Sequence, residues 1–313
     1  MNLKRAIGGF LLSFVFLLFF AYMASGVQWV FENSSQNQNK ELFLGSVSDS
    51  IQKNPSIESI GNLEIDAQSA ISVFTNLSEP DKTLLSKNGQ RILSIASLSK
   101  LMTALIVIEN IDLSQKITIS EKAASQSTDP ELLKTGETFY AEDLLQVALI
   151  GSNNVASFAL SESIGTDRFV DLMNNKAKEM GLLNTSFLNS TGLGLDNFST
   201  TQDLVKMTEY LLKSHPSVFE ITTATKFDLH DVDGKISYKI INTNELLKDS
   251  SDLTRRIIGG KTGETRTAGE CLLLVIKSLD NQGYLINVIL NSNDRFEKMK
   301  KIISWADENY NKK

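Results

Sequence analysis

Ser97 and Lys100 stand three residues apart in Ser97-Leu98-Ser99-Lys100, which heads the apolar run Leu101-Met102-Thr103-Ala104-Leu105-Ile106-Val107-Ile108. On a helix this spacing sets the two side chains on one face, one turn apart. A hydroxyl at that position lies in the positive end of the helix macrodipole, which favours an alkoxide and the oxyanion it generates. A serine nucleophile also needs a base. The chain has only two histidines, His215 and His230, and neither has a motif around it, so a Ser-His-Asp arrangement does not fit. Lys100 can accept a proton only as the neutral amine, a state that burial beside a second ammonium group would favour. The chemistry therefore calls for another lysine.

Lys-Thr-Gly-Glu-Thr occurs twice, at Lys134 to Thr138 and at Lys261 to Thr265. The first copy leads into Ala141-Glu142-Asp143-Leu144-Leu145 and reads as a turn before a helix. The second follows Ile257-Ile258-Gly259-Gly260 and precedes a strongly apolar strand, where Gly263 lets a ligand approach the strand backbone. Between them, Ser152-Asn153-Asn154 follows Gly151 at a helix start, offering a hydroxyl for proton relay and an amide for orienting a substrate. Spacing alone is not specific, because Ser50-Ile51-Gln52-Lys53 repeats the Ser-x-x-Lys pattern in a polar region. Context separates the two copies.

The elements that must position these residues follow from periodicity. Ala70 to Phe74 and Arg91 to Leu93 read as strands, separated by turn-like Asn76 to Asp81 and Lys87-Asn88-Gly89. Helical spacing takes over near 98–110, 140–150, 154–163, 167–180 and 200–212. Ser199-Thr200-Thr201-Gln202 has capping-box spacing and predicts the start of the last of these. Strand-like runs return at 257–260, 271–276 and 284–290, and Phe296, Met299, Ile302, Ile303, Trp305 and Ala306 close the chain as an amphipathic helix. This order predicts one mixed sheet with helices around it. Cys271 lies in an apolar run and reads as a small core residue.

Composition narrows the class further. Of the 313 residues 42% are hydrophobic and 22% charged, enough apolar surface for a large core. One Cys excludes an internal disulfide framework, and with two His it excludes a conventional zinc cluster. The net charge of -6 argues against nucleic-acid binding through a basic face. Residues 1–30 carry Lys4 and Arg5, no acid, and an uncharged run from Ala6 to Ala24. A spanning helix needs roughly 20 residues, against a core of about 7 to 15 in a cleaved signal peptide. The expectation is a single-pass anchor with its N-terminus inside and everything after about Val30 exported. Ala24-Ser25-Gly26 is a tolerable cleavage site, which would give a secreted or periplasmic product instead. Residues 31–59 read as a polar stalk and 60–313 as one catalytic domain.

Taken in order, Ser97-Leu98-Ser99-Lys100, Ser152-Asn153-Asn154 and Lys261-Thr262-Gly263 resemble the three motifs of serine penicillin-recognising enzymes. Flanking text narrows the resemblance to the D-alanyl-D-alanine carboxypeptidases among low-molecular-mass penicillin-binding proteins. Ile95 to Ala104 is similar to their nucleophile segment. Asn184-Thr185-Ser186-Phe187-Leu188-Asn189-Ser190-Thr191-Gly192-Leu193, followed by Ser199 to Leu204, is similar to their segment between the second and third motifs. The resemblance covers about residues 60–308. It implies an α+β, DD-peptidase/β-lactamase-like fold, with a central, mostly antiparallel sheet flanked by helices plus a helical subdomain.

The resemblance further implies that Ser97 is acylated by the terminal D-alanyl-D-alanine of a peptidoglycan stem peptide. Lys100 would be the base and Ser152 the relay to the leaving D-alanine. Asn154 would hold the peptide amide, and Lys261 would polarise Ser152 and depress the pKa of Lys100. The N–H groups of Ser97 and Glu264 would form the oxyanion hole, with Thr262, Gly263 and Thr265 lining the substrate site. It implies β-lactam antibiotics as inhibitors and no metal or organic cofactor. Three departures from the family pattern stand out: the all-β module of many relatives is not expected after the catalytic region, Asn153 and Val155 replace a glycine and an aspartate common in relatives, and Asn242-Thr243-Asn244 has Thr243 where some relatives carry a carboxylate-binding arginine. Carboxylate binding is then expected from Thr262, Thr265 and Lys261, aided by Arg255, Arg256 or Arg266. A class A β-lactamase shares the motifs but needs Glu-x-x-Asn, and none of Glu162, Glu179, Glu209, Glu220 or Glu245 has Asn three positions later. D,D-endopeptidase action and a non-catalytic, membrane-tethered muropeptide-binding protein remain as alternatives.

Overall fold

The computed structural model describes residues 58–59, 63–126, 132–194, 197–248 and 251–309. The expected anchor over 1–30 and all of the stalk over 31–59 except Glu58 and Ser59 lie outside them, as does Ser50 to Lys53. Along the chain come β1 (Glu58–Ser59), β2 (Ala67–Thr75), β3 (Lys82–Lys87) and β4 (Leu93–Ser94), then a 3-10 turn (Ala96–Ser99) that runs into α1 (Lys100–Asn110). The middle contains β5 (Lys116–Thr118), α2 (Glu121–Ala124), β6 (Thr138–Tyr140), α3 (Ala141–Ile150), α4 (Asn154–Glu162), α5 (Thr166–Glu179), β7 (Phe198–Ser199), α6 (Thr201–Ser214) and α7 (Ser217–Ile221). The strands β8 (Lys226–His230) and β9 (Ser237–Ile241) pair as a hairpin. The order ends with α8 (Asp252–Arg256), β10 (Ile257–Thr265), β11 (Gly269–Lys277), β12 (Tyr284–Ser292) and α9 (Arg295–Asn309).

The main sheet runs β1-β3-β2-β12-β11-β10, and every pairing in it is antiparallel, so the sheet is not mixed. Its central strands read as near-continuous apolar runs because both faces are covered. On β11, Cys271, Leu273 and Val275 join the core shared with the helical middle, whereas Leu272, Leu274 and Ile276 pack with Met299, Ile302, Ile303 and Ala306 of α9. α1 is buried nearly all round, from Lys100 to Val107, and packs against α3, α4 and α5. A helix that is apolar on every side belongs at the centre of a core, and this placement carries Lys100 inside with it.

Two expectations shift. β2 lies between β12 and β3, and the latter, Lys-Thr-Leu-Leu-Ser-Lys, has only two apolar residues. Arg91 to Leu93 does not join the main sheet, and only Leu93–Ser94 pairs, with Phe198–Ser199. The chain has already turned out of the sheet at Asn88, held there by Asn88 Nδ2 on the Gln68 carbonyl and Ser69 Oγ on the Asn88 carbonyl. The cap of α6 is Thr200 rather than Ser199, because Thr200 Oγ1 accepts the Asp203 N–H at 3.0 Å.

Candidate active site

Ser97 lies in the 3-10 turn that precedes α1, behind Ala96, whose φ of 46° is left-handed. A non-glycine residue in that region costs of order 1–3 kcal/mol and persists only where its surroundings enforce it. Those surroundings are specific: Ser99 Oγ donates to the Ala96 carbonyl at 2.7 Å, and Gly192 presses against the same carbonyl, where a Cβ would come within 2.0 Å. Ser152 is likewise left-handed, at φ 55°, and the cap of α4 is Asn153, whose Oδ1 accepts from Ala156 N at 2.9 Å. Ser152 is thus free of the capping role.

Lys100 Nζ sits 2.9 Å from Ser97 Oγ, 2.8 Å from Asn154 Oδ1 and 2.5 Å from the Thr191 carbonyl. The side chain is fully buried. Burial, and secondarily the charge of Lys261, hold its pKa well below that of an ordinary lysine. Lys261 is buried too, and burial followed by the charge of Arg295 brings it down to about 7. Lys261 Nζ donates to the Thr262 carbonyl at 2.9 Å, and no bond joins it to Ser152 among the described residues. A neutral amine has two N–H donors and one lone pair. With Asn154 Oδ1 and the Thr191 carbonyl as fixed acceptors, the lone pair of neutral Lys100 is left facing the Ser97 hydroxyl.

The third motif lies on β10, whose glycines permit close packing. A Cβ on Gly263 would stand 3.0 Å from both the Ile95 carbonyl and Ser97 N. This close approach brings the strand backbone against the nucleophile turn. Thr262 is buried, and its Oγ1 lies 2.5 Å from Thr243 Oγ1, while Thr243 N donates to the Ile150 carbonyl at 3.2 Å. The Asn242-Thr243-Asn244 turn therefore ties the end of α3, just before Ser152, to β10. Thr265 Oγ1 accepts from Ala268 N in the turn to β11. The first Lys-Thr-Gly-Glu-Thr copy forms a turn ahead of β6, with Gly136 at φ 89°.

Several participants carry no signal of their own in the sequence. Thr191 contributes only its carbonyl, and the loop that presents it is shaped by Asn189, whose Oδ1 accepts from Thr191 N, Thr191 Oγ1 and Gly192 N. Of the arginines expected near the third motif, Arg256 makes a bidentate pair with Asp307 at 2.6 and 2.7 Å, and Arg255 pairs with Asp252 on the surface. Arg266 is exposed in the turn to β11 just past the motif, and the guanidinium bonded to the motif belongs instead to Arg295, which donates to the Gly263 carbonyl at 3.0 Å and pairs with Glu264 at 3.2 Å. Arg295 lies more than thirty residues beyond Lys261. Cys271, opposite Gly263 in the β10–β11 register, is buried, and burial pushes its thiol up to about 11, so it stays a protonated core group. No cluster of metal-ligating side chains occurs among the described residues.

Known proteins share this arrangement of chain. D-alanyl-D-alanine carboxypeptidase DacF of Bacillus subtilis is 37% identical over 199 residues, which make up 61% of this chain and 50% of that protein. A D-alanyl-D-alanine endopeptidase of Escherichia coli is 31% identical over 217 residues, 67% of each chain. The chain thus spans half of the first relative's length and two thirds of the second's. Penicillin-binding protein D2 from Listeria monocytogenes, in its cefotaxime-bound form, superposes with a TM-score of 0.66 at 28% identity, covering 78% of this chain and 98% of that one. The D-alanyl-D-alanine carboxypeptidase family, peptidase S11, matches residues 54–294, most of the chain, and this protein belongs to it.

Proposed function

We infer that the protein is a serine D-alanyl-D-alanine carboxypeptidase that trims the terminal D-alanine from peptidoglycan stem peptides. The observation that carries this reading is the amine of Lys100, its pKa lowered by burial and then by the charge of Lys261, at 2.9 Å from Ser97 Oγ. Ser97 Oγ attacks the carbonyl between the two D-alanines while its proton passes to the lone pair of Lys100. The resulting oxyanion lies against the N–H groups of Ser97 and Glu264, each worth on the order of 3 kcal/mol to the transition state. Collapse breaks the C–N bond, the D-alanine amine takes a proton through Ser152, and an ester on Ser97 remains for water to hydrolyse. Asn154 serves twice: its Oδ1 holds Lys100, and its amide N–H groups face the peptide. Lys261, with the Arg295 guanidinium beside it, makes the pocket attractive to the substrate carboxylate, and the Thr243–Thr262 hydroxyl pair lines it. A β-lactam opens its ring on the same serine and keeps its amine tethered, so the adduct persists.

The uncharged run from Ala6 to Ala24 supports a second part of the proposal: the catalytic region is held on the extracytoplasmic side of the cell membrane. The full chain is expected to stay with the membrane pellet after alkaline carbonate washing; recovery in the soluble fraction with residues 1–24 intact would overturn the anchor.

Intact mass of the full chain after exposure to benzylpenicillin, with Ser97→Ala in parallel, tests the enzymatic reading. A long-lived adduct on the parent alone is expected. Rapid antibiotic loss without adduct would indicate a β-lactamase, and an unchanged antibiotic a binding protein. A neutral Thr243, rather than a cation, beside Thr262 favours one further reading, cleavage of cross-links that lack a free terminal carboxylate. Release of D-alanine from a stem pentapeptide, compared with cleavage of a cross-linked dimer, separates the two.

A further inference from the structure

Arg295, the first residue of α9, joins four groups. Nη1 donates to the Gly263 carbonyl at 3.0 Å and lies 3.2 Å from Glu264 Oε2. The Arg295 backbone N–H donates to Glu270 Oε2 at 2.8 Å, and the guanidinium stacks 5.1 Å from the Phe296 ring. The side chain is largely buried, so this geometry is fixed from several sides.

We propose that Arg295 is a positioning residue for acylation: clamped between the Gly263 carbonyl and the Glu264 carboxylate, it fixes the Gly263–Glu264 peptide so that the Glu264 N–H stays aimed at the oxyanion on Ser97. The inference rests on the acylation reading above. Its physical basis is the planarity of the peptide. In a trans unit the carbonyl and the N–H point in opposite directions, so holding the Gly263 carbonyl holds the direction of the Glu264 N–H. Glycine suits 263 because a Cβ there would press on Ser97 N and the Ile95 carbonyl, each at 3.0 Å. The same residue leaves that peptide freer to rotate than any other would. An oxyanion donor is effective only when it is already in place at about 2.7–3.1 Å, so a clamp from outside the strand supplies what the glycine gives up.

The charged and titratable groups around Arg295 are Glu264 and Lys261 on β10 and Glu270 and Cys271 on β11, with Lys100 beyond Lys261. The guanidinium charge disfavours a proton on Lys261, so Arg295 also influences the pH at which the lysine pair becomes competent. A merely structural contact would not do this.

The test is the rate of Ser97 acylation by benzylpenicillin in the full chain, measured from mildly acidic to mildly alkaline pH. Arg295→Gln is expected to acylate about ten- to a hundredfold more slowly, just short of the loss of an oxyanion donor outright. Its acid limb moves to higher pH, because the buried lysine pair holds its first proton more tightly once the neighbouring cation is gone. Arg295→Lys restores the acid limb but not the rate, since it keeps the charge and loses the fork geometry. Glu264→Gln, at an exposed carboxylate, moves the acid limb the other way by leaving the guanidinium charge uncompensated. Parental rate and parental pH profile in Arg295→Gln would overturn the proposal while leaving the enzymatic reading intact. Should Arg295→Gln not fold, a parental acylation rate in Glu264→Gln, which removes one jaw of the clamp, overturns it equally. A parent chain that forms no adduct on Ser97 removes the functional reading and this inference with it.

Discussion

Lys100→Met is expected to slow acylation of Ser97 by about a thousandfold or more, within the usual span for a general base, and to flatten the pH dependence of stability at the same time. Both effects come from one fact, that the amine is buried with a pKa well below 10.5. In the folded protein the neutral form predominates over a pH range in which the unfolded chain is still protonated. The unfolded state therefore binds more protons across that range, and stability rises with pH up to the unfolded lysine value. The slope approaches about 1.4 kcal/mol per pH unit for each such group. Lys261, brought down to about 7, gives a second contribution between pH 7 and 10.5. Urea unfolding of parent and Lys100→Met at several pH values in that window should show the parental slope reduced by one proton in the variant. An unchanged slope would mean that Lys100 is an ordinary ammonium in the fold, and parental acylation would remove it as the base.

Gly192→Ala is expected to cost about 3–5 kcal/mol and to reduce acylation of the remaining folded protein by about a hundredfold, a combination of overpacking and backbone strain. The φ of 77° already disfavours any side chain, and the added Cβ would lie 2.0 Å from the Ala96 carbonyl oxygen and 3.0 Å from Ser97 N. Those atoms are backbone, so no rotamer change relieves the clash. What yields is the turn that carries the nucleophile, or the Thr191 carbonyl next to Gly192 that holds Lys100. Gly181→Ala is the matched control. Its φ is 67° but its Cβ would meet nothing within 4 Å, so it should lose only about 1–2 kcal/mol of left-handed strain and none of the activity. Chemical denaturation and acylation rates of the two variants check the contrast, and equal losses would refute the packing argument.

The reach of the sequence depended on how locally each feature is encoded. Ser97 and Lys100 belong to one turn, and the covalent geometry of the chain sets three-residue neighbours on one side; the structure has them 2.9 Å apart. The apolar runs of β11 and β12 announced a doubly covered sheet for the same reason. By contrast β3 has little signal of its own because its pairing with β2 comes from a neighbour, whereas the hairpin of β8 and β9 is encoded locally, in Phe227 and Leu229 and in Tyr238 and Ile240 alternating on either side of Asp233-Gly234. The tendency of Arg91 to Leu93 to read as a strand lost to a partner already in place.

By itself, then, the sequence determined the order of the three motifs, the need for a neutral lysine and the class of chemistry, since residue type and short spacing fix those. Tertiary structure alone decided that desolvation outweighs the charge of Lys261 in keeping that lysine neutral, and what holds the oxyanion strand. Desolvation depends on what surrounds a side chain, and Thr191, Arg295 and Thr243 reach the site from segments up to nearly two hundred residues from Ser97. A backbone carbonyl such as that of Thr191 has no identity in a sequence, because every residue carries one and only the fold chooses which is aimed at the amine.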